Sequence, residues 1–238
     1  MILTPSAPRR GSAGDRLLRS LARRGHAAVG DATAPAAGAT LFACPAPDEP
    51  APDLCAWRTA HAQITAPRLL LVTRLGTHPD AAHPRLRECW ALEEMARGEG
   101  LPLLVLRLGP LVGPQSPLWA RLRSVSPLPR GGALLVNPVV ESDVVETLDR
   151  ALSGRAEWSG WYEVAGPEVW SLAELSALAR ENGRALPAGS GAWEPPLDEL
   201  KEHRLAESGS WLEHFGMTVR PLAEQAREWA AAPAAGAA

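Results

Sequence analysis

Short apolar runs alternate with longer amphipathic stretches along this chain. Met1–Thr4, Ala27–Val29, Thr40–Cys44, Arg68–Thr73, Leu103–Leu108, Ala133–Val140 and Trp161–Ala165 are strand-sized and mostly apolar. Continuous apolarity, rather than strict alternation, marks strands covered on both faces. Between them the period changes to that of a helix. Asp15–Arg24 puts Leu17, Leu18, Leu21 and Ala22 on one side, with Gly25 at the helix C-terminus. Asp53–Thr65 predicts a second helix. Pro84 opens a third through about Arg97, carrying Cys89, Leu92 and Ala96 on one face, with Gly98 and Gly100 as stops. Ser142 can cap a helix with Val144, Val145, Leu148 and Leu152 inward, stopped by Gly154. Ser171 and Glu174 form a capping box for a helix ending at Gly183. From Leu197 to Ala231 the pattern is helical and amphipathic, broken at Gly209, Gly216 and Pro221.

This order predicts an α/β fold: a doubly wound parallel Rossmann-type sheet with a small, mostly helical C-terminal lobe. The 238 residues suit one domain with a sizeable core. It is expected over residues 1–232, with a Rossmann core at 1–110 and the completing strands and lobe at 111–232. The Ala/Pro/Gly stretch at 233–238 reads as a disordered tail.

Charge narrows the partners. The net charge is −3 and there is no basic run, so neither a nucleic-acid nor a membrane partner is expected. The longest apolar runs fall far short of the roughly 20 residues that span a bilayer. Arg9 and Arg10 follow the first strand where a secretory signal would be apolar. Cys44, Cys55 and Cys89 match neither a disulfide framework nor a zinc pattern, which points to the cytoplasm. Nine tryptophans accompany two Phe and one Tyr. They serve either as core filler or as the lining of an aromatic pocket or partner surface in the C-terminal half.

A strand, a turn with Gly11-Ser-Ala-Gly14 and a helix form the geometry that cradles phosphate. The plain alternative is a tight turn of any βα unit. The run from Gly14 to Gly25-His26 resembles the first helix of the extended and atypical short-chain dehydrogenases/reductases, the NAD-dependent epimerase/dehydratase group. That family's G-x-x-G-x-x-G loop leads into a helix ending Arg-Gly-His. Gly11 and Gly14 match the second and third glycines, and Pro8 stands at the first. Gly100–Pro114 looks like the family's late strand and its turn near the nicotinamide, here Gly109-Pro110. Val136–Asp143 and Tyr162–Glu168, followed by Ser171–Leu175, look like its later strand–helix signatures. The similarity covers most of residues 1–180 and implies an NAD or NADP site. Asp31, after the second strand, would take a ribose hydroxyl and favour NAD. Arg9 and Arg10 would pair with a 2′-phosphate and favour NADP. Both readings stay open, beside that of solvated loop charges.

The family's chemistry uses a Tyr and a Lys one helical turn apart, assisted by a Ser or Thr. Counting back from Glu93 and Gly100, the matching helix places Arg85 and Cys89 at those positions, and a shift by one places Leu86 and Trp90 there; neither register supplies the pair. The single tyrosine, Tyr162, and single lysine, Lys201, are too far apart in sequence to restore the pair. Thr73 occupies the approximate Ser/Thr position, or simply ends a buried strand. The stretch between Asp31 and Arg68 holds one strand and one helix where the family fits two units. The chain thus reads as a degenerate member of that branch and not a Tyr/Lys-dependent oxidoreductase. The expected role is non-catalytic binding of a nucleotide, a small ligand or a protein partner. The alternative is an atypical reductase, isomerase or cyclase with replacement residues. Thr73, His78, Asp80 and His83 would carry that chemistry, the last three from the loop after the central strand. A polar loop leading into a Pro-started helix is the plainer account of them. The Pro84–Arg97 helix is a candidate homodimer interface.

Overall fold

The computed structural model describes residues 2–4, 10–30, 40–44, 68–124, 127–182, 200 and 202–231. The expected helix at Asp53–Thr65 and the site candidates Arg9 and Asp31 lie outside these residues, as do Pro8 and Lys201.

Strand β1 (Ile2–Thr4) leads to helix α1 (Ala13–Arg23), β2 (Ala28–Gly30), β3 (Thr40–Ala43) and β4 (Arg68–Arg74). Helix α2 (Pro84–Gly98) and β5 (Leu103–Leu108) follow. Together with β9 (Trp161–Val164) these strands form one parallel sheet in the order β2-β1-β3-β4-β5-β9. Its interior strands are apolar because both faces are covered. Ile2, Phe42, Leu70 and Leu104 face α1 and α4 (Glu141–Leu152). Leu41, Leu69, Leu71 and Val105 face Leu92 and Ala96 of α2. Strand addition reverses between β1 and β3. By the general rule for such sheets, that switch point places the ligand crevice beyond the C-terminal ends of β1 and β3.

The second half adds a lobe with its own core. It contains β6 (Leu111–Val112), α3 (Pro117–Arg123), β7 (Leu135–Val136), β8 (Val139–Val140), β10 (Trp170–Ser171) and α5 (Leu172–Glu181). Helices α6 (Gly209–His214) and α7 (Leu222–Ala231) close the chain. Leu122, Leu175 and Ala226 meet there, with the Trp119 and Trp229 rings edge-to-face. Among the described residues no helix is long and apolar enough to cross a membrane.

Three local expectations are corrected. The run at 133–140 is not one strand. Asn137-Pro138 divides it, and β7 pairs with β10 while β8 pairs with β6. Proline offers no N–H to a ladder, and the Asn137 N–H goes to the Arg204 carbonyl instead. Ser142 does not cap α4, which starts at Glu141 behind Val140 without a side-chain cap. Gly209 begins α6 rather than breaking a helix, and residues 202–208 before it are not helical.

Candidate functional site

The glycine loop follows β1, at the switch point of the sheet, and side chains of α1 bond to it. Gly11 has φ +84, open to glycine and strained for other residues. Its N–H donates to Asp15 Oδ2 at 2.6 Å, and Ser12 Oγ accepts the Asp15 N–H at 3.2 Å. Gly14 is buried in the first turn of α1. Arg10 is exposed. Arg16, with 5% of its side chain exposed, donates to the Gly11 carbonyl at 2.8 Å and to Glu141 Oε2 at 2.9 Å. Glu141 also packs beside Gly113, where an added Cβ would meet its Cβ at 3.3 Å. One ion pair therefore ties the start of α1, beside the glycine loop, to the first residue of α4, next to the turn after β6.

The turn after β5, which holds Gly109 and Pro110, is built for close backbone crossing. A Cβ on Gly109 would come within 2.5 Å of the Asn137 carbonyl, and one on Gly166 within 2.3 Å of the Pro138 carbonyl. The Pro110 carbonyl accepts the Val139 N–H. The Asn137 side chain donates to the Gly166 and Glu168 carbonyls and accepts the Ala206 N–H. Gly109 and Pro110 are thus placed by the sheet–lobe junction. The Arg204 guanidinium lies against Gly76, within 3.1–3.2 Å of where a Cβ would sit, which covers the turn after β4.

Over the ends of β4 and β5, α2 presents Arg85, Cys89 and Glu93, all buried. Arg85 bonds Glu88 at 2.6 Å. Glu93 is fully buried and accepts from Thr73 Oγ1 at 2.7 Å, Arg107 Nη2 at 2.6 Å and Nε at 3.0 Å, and Arg97 Nη2 at 3.3 Å. Thr73 therefore spends its hydroxyl inside the helix–sheet interface.

Of the loop candidates, His78 and Asp80 are brought together, with His78 Nδ1 3.9 Å from Asp80 Oδ2. The side chains of His78 and Asp80 are 62% and 90% exposed, and His78 Nδ1 accepts the Asp80 N–H in a local turn. His83 caps α2 by accepting the Arg85 N–H. Among the described residues no three His, Cys, Asp or Glu side chains gather as a metal site requires. Tyr162 sits on β9, stacked on His214 at 4.3 Å and edge-on to Phe215. Burial, with help from Glu157, pushes its phenol up from the ordinary value. A proton-exchanging tyrosine needs the opposite shift. Trp119 and Trp211 are buried, whereas Trp161 is 50% exposed and lies under Arg107 at 4.4 Å.

Among the described residues, Asp15, Arg16 and Glu141 bond around the glycine loop, and Asn137 holds the junction of sheet and lobe. Asp15 carries a sequence signal, the Ser12-x-x-Asp15 spacing of a helix cap, and Asn137 and Glu141 fall in the Val136–Asp143 stretch that carries the resemblance, whereas Arg16 carries none.

No protein-family model matches the chain, and no curated protein matches it in sequence. Solved structures do match in shape. The UDP-glucose 4-epimerase of Thermus thermophilus, in complex with NAD, superposes with TM-score 0.67 at 17% identity, over 97% of each chain. The UDP-glucose 4-epimerase of Thermotoga maritima, with UDP-glucose, gives 0.65 at 13% identity, over 97% of this chain and 98% of that one. MoeE5, in complex with UDP-glucuronic acid and NAD, gives 0.67 at 18% identity, over 96% and 97%. The chain has the Rossmann-type fold of these epimerase-like enzymes.

Proposed function

We propose that this chain is an epimerase/dehydratase-like Rossmann protein that has given up Tyr/Lys chemistry. It binds a nucleotide or small ligand in the inherited crevice as a non-catalytic ligand- or partner-binding protein. One observation carries the reading: α2 has neither a tyrosine nor a lysine, and its buried face carries Arg85 and Cys89, the positions that the resemblance matches to that pair. A guanidinium stays charged at any working pH and gives up no proton. The Thr73 hydroxyl is committed to Glu93, and Tyr162 is stacked on His214 at β9. The bonds that occupy His78 and His83, and the exposure of Asp80, speak for this reading over an enzyme with replaced machinery. A nucleotide is the favoured ligand class because two of the similar structures are complexes with NAD. The outward positions of α2, Arg87, Glu88, Ala91, Glu94 and Met95, are mostly polar. A homodimer through this helix would pair charges rather than an apolar seam.

The test is titration of the full chain with NADH and then NADPH, exciting tryptophan and reading nicotinamide emission. Saturable binding of either, without cofactor turnover across a panel of nucleotide-sugars and small carbonyl compounds, is the expected result. Turnover that depends on a crevice residue overturns the non-catalytic role. Absence of binding at about 1 mM, an affinity of barely 4 kcal/mol, overturns the dinucleotide reading.

A further inference from the structure

We infer that Asp15 is a built-in competitor for the anion site of the glycine loop, a carboxylate that must leave Gly11 before a pyrophosphate can enter. The inference rests on reading the crevice as a nucleotide site and adds to it a residue that sets its affinity. A Rossmann loop binds pyrophosphate through backbone N–H groups at a helix start. Here the Gly11 N–H is already taken at 2.6 Å by Asp15 Oδ2. Asp15 belongs to the first turn of the same helix, so the carboxylate occupies the place and the charge sign that a phosphate would bring. A dinucleotide must displace this hydrogen bond and then lie beside a carboxylate, and like charges at contact range repel strongly away from bulk water.

The same oxygen has a second partner. Arg19 Nη2 lies 2.8 Å from Asp15 Oδ2, one turn along the exposed side of α1, and the Asp15 side chain is 19% exposed. Turning toward Arg19 releases Gly11 while keeping the ion pair. Arg16 cannot offset the loss. It is held by Glu141 and the Gly11 carbonyl and is 5% exposed, so it anchors the loop from below. The loop therefore has a closed arrangement, with Asp15 on Gly11, and an open one, with Asp15 wholly on Arg19. The ligand must supply the difference.

The experiment compares the full-length chain with Asp15→Asn, which keeps size and hydrogen-bonding capacity but removes the charge. NADH is titrated into both, and adenosine, which lacks phosphate, serves as control. Asp15→Ser, which keeps a short acceptor, is run alongside in case the asparagine variant loses its fold by circular dichroism. NADH should bind the variant about tenfold tighter or more, with adenosine affinity unchanged. Equal, saturable NADH affinity in both chains overturns the competitor role and leaves the nucleotide reading standing, with Asp15 a helix cap alone. A parallel gain for adenosine also overturns it, because the loop would then have loosened. Failure of both chains to bind NADH at about 1 mM removes the competitor and the nucleotide reading together.

Discussion

Glu93 is a carboxylate at 0% exposure with four donor contacts from three residues. A buried pair holds only while both partners remain, since a single leftover charge has no water to solvate it. Glu93→Gln is expected to cost about 3–5 kcal/mol in urea denaturation. Replacing both partners, Glu93→Leu with Arg107→Met, should recover most of that loss. A double variant as unstable as the single one would show that shape, not charge pairing, sets the cost. Thr73→Val should cost about 1 kcal/mol, the worth of one hydrogen bond. A second residue carries a pH signature. Burial raises the Asp143 carboxyl above its ordinary value, against the opposing pull of Gln225 and Arg220. A raised acid stabilises the fold while protonated, so its contribution is complete below the unfolded value near 3.8 and is lost as pH rises through the folded value. The melting temperature of Asp143→Asn should therefore gain on that of the parent chain as pH rises from about 3 to 7.

Elements meet where backbone crosses backbone. The Asn137-Pro138 step splits one apolar run into β7 and β8 and threads between Gly109 and Gly166. No Cβ fits at Gly166, 2.3 Å from the Pro138 carbonyl, without moving the main chain. Gly166→Ala should cost about 1–3 kcal/mol by overpacking, read as a fall of a few degrees in melting temperature. The Ser171–Glu174 capping box is present as its spacing implied, with reciprocal bonds of 3.1 and 2.8 Å. Ser171→Ala should cost about 1 kcal/mol. The two sites differ in legibility. A capping box lies within one helical turn and can be read from spacing. The Gly166 contact joins segments far apart in the chain, and the sequence around 166 does not reveal why a glycine is needed there.

At the scale of the whole molecule, the sheet order places the glycine loop at its switch point, Arg16–Glu141 joins the two helices on one face of the sheet, and Asn137 ties the lobe to the core. The α/β class, the parallel sheet, the capped α5 and the glycine turn were determined by sequence alone, because each depends on hydrophobic period or on residues within a few positions of one another. So was the absence of a Tyr/Lys pair from α2, a matter of residue identity. The tertiary structure decided the rest. It put Thr73 against Glu93 rather than into the crevice, set His83 to cap a helix, and turned Asp15 onto the N–H that the motif would reserve for a phosphate. In each case the hydrogen-bond partner is chosen by which groups folding buries together, and a motif states spacing without stating whose donors are already taken.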